Sequence, residues 1–451
     1  MIEGGHAVKA PLTFQQEALW KSAERHSTGI FAVHLAGRLD KEALTRSLEA
    51  LVGRHDALRT KIVVVDNVPA QWLYERAQHP LSVIEIVDGP TAARRLCAKQ
   101  HIERFLHASI YEETGIPFNA RLLTLSEDEH VLAITIGHMI CDAYSLRILF
   151  TNLWRCYGAL VQGQPLPFTE PSPRYVDYAI EQRGTNAGWT KEDASYWKTT
   201  LRDLTVPRLP IADERARRYG GTMTVLLDFG STLRREICDL ARRTGVLSPA
   251  IVMFGIFAAV LAGWCRRREF LLPFAVLGRD LIKHRETCGF FAYHLHIPIA
   301  ANPEEDAARF LTRTASSVYS AMRHQDFGRI SASRADLISG ASFNWVSGRP
   351  EELAGLPSAA VLGEIGPALE MSVFAPPRFK TAAHSHPPVS LSLLLYDHGD
   401  TLSAVLHHDA RVTDVEQFAE HLRAATRQVV TAPSTRLCQV QSADPAFRPQ
   451  G

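Results

Sequence analysis

A buried strand followed closely by an amphipathic helix is the feature that most constrains how this chain can fold. Residues 130–136 form an apolar, β-branched run, which predicts a strand covered on both faces. Beyond Ser145 the apolar residues recur at helical spacing, at Leu146, Leu149, Phe150, Leu153, Trp154 and Tyr157. This strand and helix, with similar pairs elsewhere in the chain, predict an α/β fold.

The loop between this strand and this helix carries two titratable side chains, His138 and Asp142, four positions apart. An imidazole on such a loop, with a carboxylate able to orient something nearby, suits a residue that moves or positions a proton. Structural roles fit as well, because a His at a strand end is commonly just hydrogen-bonded and an Asp before a helix commonly caps it. The spacing alone leaves both interpretations open.

Length and charge limit the classes of protein to which the chain can belong. With 451 residues it exceeds one ordinary core, so two domains are expected. The 49 basic and 48 acidic residues leave a net charge of +1, which gives no electrostatic case for nucleic acid or an anionic membrane as the main partner. The composition, 46% hydrophobic and 22% charged, is typical of a globular protein.

The cysteines and the termini predict a cytoplasmic protein. Seven cysteines are scattered without a Cys-x-x-Cys pair, so neither a disulfide framework nor a zinc site is expected. No signal peptide is recognisable, and no uncharged apolar run reaches membrane-spanning length. The longest apolar run, residues 251–264, predicts a buried helix.

Composition places the domain boundary near residue 184. A proline-rich polar segment at 163–173, a helix at 175–182 and a glycine-containing stretch at 184–188 indicate the exit from a first lobe at residues 1–183. Residues 184–451 form the predicted second lobe, with an irregular proline- and histidine-rich segment at 366–388.

Six motifs in order show a family resemblance that covers nearly the whole chain. They occupy residues 11–20, 54–60 (Arg-His-Asp-Ala-Leu-Arg-Thr), 137–143 (Gly-His-Met-Ile-Cys-Asp-Ala), 175–183, 289–291 (Gly-Phe-Phe) and 324–326 (His-Gln-Asp). With these motifs the chain resembles the condensation domains of nonribosomal peptide synthetases, in the chloramphenicol acetyltransferase superfamily. The resemblance implies two acetyltransferase-like lobes that form a V with a central tunnel, and a latch near residues 366–388.

The same resemblance assigns roles at the predicted site. His138 would be the catalytic residue that accepts a proton from the incoming amine or holds the amine in line. Asp142 would be structural and paired in bidentate geometry with Arg279, although a solvated Arg279 is the alternative. Ala143, Tyr144, Tyr293 and Asn344 are expected to line the tunnel or contact substrate.

Three positions depart from the family pattern. Gly137 stands where the family has its first His, which is read as packing support for the loop. Ala143 replaces a Gly and adds a methyl group beside the tunnel, and Tyr293 replaces an Asn. These departures bear on activity rather than on fold.

Other reactive clusters have weaker interpretations. Cys141 beside His138 could form a Cys–His nucleophile, but their spacing in a loop does not fix a thiolate pair. His294 and His296 would share a strand face as metal ligands do, yet no third ligand is evident. No metal site is therefore predicted.

The function expected from the resemblance is acyl transfer in natural-product biosynthesis, such as that of peptide antibiotics. A carrier-protein thioester on a phosphopantetheine arm would donate an acyl or aminoacyl group to an amine, or as the less favoured acceptor an alcohol. No bound cofactor is expected, and the chain would be a free-standing monomer, although residues 432–451 resemble an interdomain linker and fit an excised domain. A catalytically inactive platform that recruits a carrier protein or tailoring enzyme, and a coenzyme A-dependent acyltransferase, are the alternatives.

Overall fold

A computed structural model describes residues 6–22, 27–75, 81–107, 117–168, 170–184, 189–211, 222–279, 282–325, 328–333, 337, 340–348, 355–358, 361, 365, 369–380 and 390–441. The strands are β1 (His6–Pro11), β2 (Thr28–Gly37), β3 (Thr60–Val65), β4 (Val68–Tyr74), β5 (Ser82–Glu85), β6 (Phe118–Ser126), β7 (Glu129–Gly137), β8 (Thr222–Phe229), β9 (Glu269–Val276), β10 (Tyr293–Ala300), β11 (Gly340–Ser347), β12 (Leu369–Lys380), β13 (Ser390–Asp397) and β14 (Leu402–Asp409).

The helices follow the same chain order. They are α1 (Phe14–Lys21), α2 (Lys41–Arg54), α3 (Thr91–His107), α4 (Ala143–Val161), α5 (Tyr175–Gly184), α6 (Lys191–Thr200), α7 (Gly230–Thr244), α8 (Pro249–Trp264), α9 (Ala307–Arg323), α10 (Arg329–Ser333), α11 (Val415–Thr431) and α12 (Leu437–Gln441). Short 3-10 turns lie at Asp56–Arg59, His138–Ile140 and Ile282–His284. The structure confirms the predicted α/β class.

The chain divides into two compact units. The first contains residues 1–188, 277–292 and 350–383, and the second contains 189–276, 293–349 and 384–451. Segments 277–292 and 350–383 thus belong to the first unit although they come later in the chain. The lobe boundary at 183/184 stays a prediction, as does the arrangement of the lobes in a V with a tunnel.

The first unit is built on a five-stranded sheet in the order β12-β2-β7-β6-β5. As the sequence predicts, β7 is covered on both faces: Val131 and Ala133 pack with residues of α3, and Leu132 and Ile134 pack with residues of α2 and α4. A separate three-stranded sheet has the order β1-β4-β3. This packing fixes the end of β7, from which the predicted site begins.

The prediction of irregular structure at 366–388 is wrong for residues 369–380. They form β12, which pairs antiparallel with β2 from Leu369 opposite Gly37 to Lys380 opposite Thr28. Backbone pairing along the edge of β2 outweighs the proline content, because Pro376 and Pro377 fall at an irregularity in the register, where no ladder N–H is needed. The rest of 366–388 lies outside the described residues.

The second unit surrounds a helix that is apolar on every side. Its six-stranded sheet has the order β10-β9-β11-β13-β14-β8. Helix α8 is buried from Ala250 to Ala262, as its composition predicts, and α9, α11 and α12 pack against it. Among the described residues no single helix is long and apolar enough to cross a membrane. Helices α7 and α8, with a bend of 95° between them, reach that length and apolar composition only when they are counted together.

Candidate functional site

The predicted catalytic residue lies at the point where β7 ends. Gly137 is the last strand residue, and His138 opens a 3-10 turn that continues to Ile140. The backbone N–H of His138 donates to the carbonyl of Ser27 at 2.8 Å, which continues the pairing between β7 and β2. Inside the turn, the N–H of Cys141 donates to the carbonyl of His138 at 3.3 Å. The sheet therefore fixes the start of the turn firmly.

The imidazole of His138 is half-buried and held in one orientation. Its Nδ1 lies 3.0 Å from the carbonyl oxygen of Cys141. Because a carbonyl oxygen only accepts hydrogen bonds, Nδ1 carries the proton in the neutral ring and Nε2 keeps its lone pair. The ring also packs edge-on against Phe290, with 4.8 Å between ring centroids. This geometry presents Nε2 as a base.

Asp142 holds the other end of the loop. It is the N-cap of α4, and its Oδ1 accepts the N–H of Ser145 at 2.7 Å. Its Oδ2 accepts the N–H groups of Phe291 at 3.0 Å and Ala292 at 3.2 Å. Only 3% of its side chain is exposed. Asp142 therefore joins the start of α4 to the 289–292 segment, a structural arrangement.

Arg279 contacts Asp142 as the resemblance implies, but in a different geometry. Its Nη2 lies 3.2 Å from Asp142 Oδ1 and donates to Ser145 Oγ at 2.6 Å. Its Nη1 donates to the carbonyls of His284 at 2.9 Å and Thr287 at 2.7 Å. The expected bidentate pair is wrong, because only one guanidinium nitrogen reaches the carboxylate. The solvated alternative is also wrong, since 4% of the Arg279 side chain is exposed.

Ser145 was missed by sequence reasoning and lies at the centre of this network. It is fully buried, and its hydroxyl donates to the carbonyl of Gly289 at 2.7 Å and accepts the N–H of Gly289 at 3.0 Å. One feature of the sequence could have indicated this role: Ser145 is a small polar residue in the first turn of a helix whose other inward positions are largely apolar.

Residues 289–292, which include the Gly-Phe-Phe motif, precede β10, which begins at Tyr293. The N–H groups of Phe291 and Ala292 are taken by Asp142, and the carbonyl of Phe290 accepts the hydroxyl of Tyr175 at 2.5 Å. Glycine is required at 289 because a Cβ there would overlap the ring of Tyr175.

Two glutamines of α1 also reach this network and were missed. Gln15 donates to the carbonyl of Phe291 at 3.2 Å. Gln16 donates to the carbonyl of Met139, inside the His138 turn, at 2.9 Å. The sequence places both in the motif at 11–20 but gives no indication of their partners.

Cys141 is unsuited to act as a nucleophile. It is 4% exposed, and burial, with the neighbouring Cys288 thiol adding to it, raises the pKa of Cys141 well above its usual range. Since the thiolate is the reactive form, this argues against a Cys–His pair.

The structure separates the predicted substrate-contacting residues into two groups. Ala143 is exposed at the first position of α4, and half-buried Tyr144 lies beneath the guanidinium groups of Arg147 and Arg279. Tyr293 and Asn344 belong to the second unit. Their roles toward substrate stay predictions.

The two histidines of β10 differ in their surroundings. Burial lowers the pKa of His294 to about 4, and His296 Nε2 lies 3.3 Å from the carbonyl of Leu337. Across the described part of the chain, no group of three or more His, Cys, Asp or Glu side chains is placed to hold a metal ion.

A family model decides the identity of the chain. The condensation domain model matches residues 7–331, well over half of the sequence. The chain belongs to the condensation domain family. The model spans the His138 loop, the Arg279 segment and the motif on α1.

Curated relatives of the chain are large synthetases. Chondramide synthase from Chondromyces crocatus is 27% identical over 71% of this chain and 8% of its own length. Phosphinothricin tripeptide synthetase from Streptomyces viridochromogenes is 33% identical over 62% of the chain and 24% of its own length. A linear gramicidin synthase from Brevibacillus parabrevis is 27% identical over 71% of the chain and 6% of its own length. The chain thus spans a quarter or less of each of these relatives.

Solved structures of other proteins share the fold. The condensation domain of the monacolin K polyketide synthase has a TM-score of 0.77 at 18% identity, covering 96% of this chain and all of the other. The X-domain from teicoplanin biosynthesis has a TM-score of 0.74 at 22% identity, covering 97% of this chain and 98% of the other.

Proposed function

We propose that this chain is a condensation enzyme of natural-product biosynthesis that transfers an acyl or aminoacyl group from a thioester to an amine. An alcohol is the less favoured acceptor. The observation that carries the proposal is the orientation of His138, whose Nδ1 is committed to the Cys141 carbonyl so that Nε2 is left as a base. The family match gives the reaction class, and the names of the curated relatives support a peptide-related pathway.

The proposed step needs a single proton acceptor. The amine nitrogen attacks the thioester carbonyl carbon, and His138 Nε2 takes the proton that the nitrogen loses as the new C–N bond forms. The C–S bond then breaks, and the departing sulfur takes the proton from His138 Nε2 and leaves as a thiol, which restores the neutral imidazole. A positioned base of this kind contributes about 10²- to 10⁴-fold to the rate. The thioester is already activated, so alignment of the amine by the same imidazole increases the rate further.

Asp142 and Arg279 support this step without taking part in it. The Asp142 carboxylate accepts its hydrogen bonds from groups of the protein, and both terminal nitrogens of Arg279 are likewise engaged. Their part is to hold the loop that carries His138.

The donor and the partners follow from the reaction class. We infer that the donor is a phosphopantetheine thioester on a carrier protein, with coenzyme A as the alternative carrier of the same chemical group. The acceptor is a small amine, and the protein acts as a monomer in the cytoplasm. One relative with the fold, the first condensation domain of the calcium-dependent antibiotic synthetase, was solved with a substrate analogue (TM-score 0.70, 18% identity, covering 96% of this chain and 98% of the other).

The recruitment alternative has less support. The X-domain from teicoplanin biosynthesis was solved in complex with OxyB, so a protein of this fold can bind another protein. A platform of that kind needs no oriented base, whereas this chain keeps His138 fixed in a single tautomer.

The experiment that tests the proposal is product detection by mass spectrometry. Acyl and aminoacyl thioesters on carrier proteins and on coenzyme A are offered with amine and alcohol acceptors to the wild type, His138→Ala and His34→Ala. His34 is a matched control, since it is half-buried in the same unit and contacts Glu129 on the sheet instead of the loop. We expect His138→Ala to lose at least about 100-fold in rate and His34→Ala to retain the wild-type rate.

Two results would overturn the proposal. If folded His138→Ala keeps the wild-type rate, the base is not His138. If no donor reacts above the uncatalysed rate while a carrier protein or an oxygenase binds, the recruitment function replaces the enzymatic one.

A further inference from the structure

The turn that carries His138 is poorly stabilised from within. Its internal hydrogen bond, from the N–H of Cys141 to the carbonyl of His138, is long at 3.3 Å. The carbonyl of Ile140 has the Cys288 thiol at 3.9 Å, which is a weak donor. The carbonyl of Met139, the middle residue of the turn, receives a shorter bond of 2.9 Å from Gln16 Nε2. The turn therefore depends on a side chain from a distant element.

Gln16 is held in position by both ends of its amide. Its Oε1 accepts the N–H of Thr13 at 3.0 Å as half of the capping box of α1. Its Nε2 also donates to Gln71 Oε1 at 3.1 Å, and Gln71 in turn donates to the carbonyl of Pro11 at 2.8 Å. Gln16, Gln71 and Thr13 are all fully buried. The amide therefore has one orientation, with its donor side toward the turn.

We propose that Gln16 is a positioning residue for His138. Its amide fixes the Met139 carbonyl, and through the short turn this fixes the Cys141 carbonyl that sets the tautomer of the imidazole. The side chain of Met139 is buried beside Leu12 and Leu19, next to α1, so side-chain packing and the Gln16 bond hold the same residue. This inference rests on the proposed function of His138.

The bond from Gln16 satisfies a buried backbone carbonyl. Without Gln16 the Met139 oxygen loses this donor in a buried place, and the turn relaxes toward another donor. A change in the turn moves the Cys141 carbonyl away from Nδ1, so that the two tautomers of His138 become closer in energy. The fraction of the enzyme with an unprotonated Nε2 then falls.

The test compares Gln16→Met with Gln182→Met. Methionine keeps the length and burial of the side chain without a hydrogen-bonding amide. Gln182 is a matched control, because it is also a buried Gln that reaches α1, where its Oε1 accepts the N–H of Phe14. The Nε2 of Gln182 donates to Gln15 and Tyr178, away from the His138 turn. Both variants lose an amide network of similar kind, so their stabilities should fall by similar amounts.

The first readout is independent of any substrate. In protein labelled with ¹⁵N-histidine, His138 is assigned from the spectrum of His138→Ala. We expect the wild type and Gln182→Met to show a protonated Nδ1 and an unprotonated Nε2. In Gln16→Met both nitrogens should move toward intermediate shifts, as in a mixture of tautomers. Unchanged His138 shifts in folded Gln16→Met would overturn the inference.

The second readout is kinetic, with an amine and a carrier-bound thioester that the wild type accepts. Gln16→Met should lower kcat by about 10- to 100-fold, the size expected of a small misplacement, with little change in KM. A raised KM with kcat unchanged would overturn the inference. If Gln16→Met does not fold, Gln71→Met takes its place. It removes the partner that orients the Gln16 amide, and a smaller shift in the same direction is expected.

The two proposals fail in different ways. If the tautomer changes in Gln16→Met but no thioester reacts with the wild type, the positioning role stands and the proposed function falls. If His138→Ala abolishes transfer while Gln16→Met keeps both spectrum and rate, the function stands and the positioning role falls.

Discussion

Replacing Asp142 by Asn tests how the loop network is held together. The groups that the Asp142 carboxylate contacts are all donors: the N–H groups of Ser145, Phe291 and Ala292, and the guanidinium of Arg279. An Asn has one acceptor oxygen, so in either orientation its NH₂ group faces donors and leaves half of them unpaired. Each buried donor that loses its partner costs about 1–3 kcal/mol, and breaking a buried ion pair from one side costs about 3–5 kcal/mol in all.

We therefore expect Asp142→Asn to lower the free energy of unfolding by about 3–5 kcal/mol. Asp142→Ala should cost about 1 kcal/mol more, because the cap of α4 is lost as well. Arg279→Met should cost about as much as Asp142→Asn, because it breaks the same ion pair from the other side and removes the donors to the carbonyls of His284 and Thr287. The assay is urea unfolding at pH 7, followed by circular dichroism and by tryptophan fluorescence, with coincident transitions required.

A matched control comes from the second unit. Asp409 is similarly buried, but its side-chain bonds come from Arg411, two positions away. Asp409→Asn should cost less than Asp142→Asn, because it breaks a local contact and not a link between distant segments. The expectation is refuted if Asp142→Asn costs under about 1 kcal/mol, or no more than Asp409→Asn.

Two further predictions concern stability. Burial lowers the pKa of His55 to about 3 while its neutral ring bonds Asn152 and Ser172, so the unfolded chain alone takes up a proton below about pH 6.5. The contribution of His55 to the free energy of unfolding is complete above pH 6.5 and falls on acidification, by about 2 kcal/mol at pH 5. In urea unfolding, His55→Gln should therefore reduce the dependence of the unfolding free energy on pH. Gly289→Ala should cost about 3 kcal/mol or prevent folding, because the added methyl overlaps the ring of Tyr175, as thermal unfolding will show.

Each of these two stability predictions has a result that would contradict it. If the free energy of unfolding of His55→Gln falls between pH 6.5 and 5 as steeply as that of the wild type, protonation of His55 is not the cause of the acid destabilisation. For Gly289→Ala, the control is Gly184→Ala in the same unit, where an added Cβ meets nothing within 4 Å. Equal melting temperatures for the two alanine variants would mean that Tyr175 moves aside at little cost.

The sequence predicts elements well where local pattern and burial agree. Three patterns each fit one kind of secondary structure: the apolar run of β7, the spacing of apolar residues in α4, and the uniformly apolar α8. All three elements are observed. The loop with His138 and Asp142 follows from the position of these elements. The contact of Asp142 with Arg279 was expected from the family resemblance, and local pattern alone did not indicate it.

The remaining features depend on distant partners. The proline-rich β12 is a strand because it pairs along the edge of β2, and Phe291 and Ala292 lie outside a strand with their N–H groups bonded to Asp142. Ser145 and Gln16 have ordinary helical surroundings in sequence, and only the fold reveals the carbonyls that they reach. Propensity is a local property, whereas these roles arise from chain segments that are far apart.

The first unit is assembled from three separate stretches of chain, and this affects how it can fold during synthesis. The His138 loop leaves the ribosome well before Arg279, and β12 follows about 90 residues later, at a synthesis rate of about 5–20 residues per second. During that interval the carboxylate of Asp142 lacks its cation, and the edge of β2 lacks its neighbouring strand. At that rate the nascent chain must carry an incomplete first unit for roughly 10 to 50 seconds, and a fragment that ends at residue 188 would remain in that state permanently.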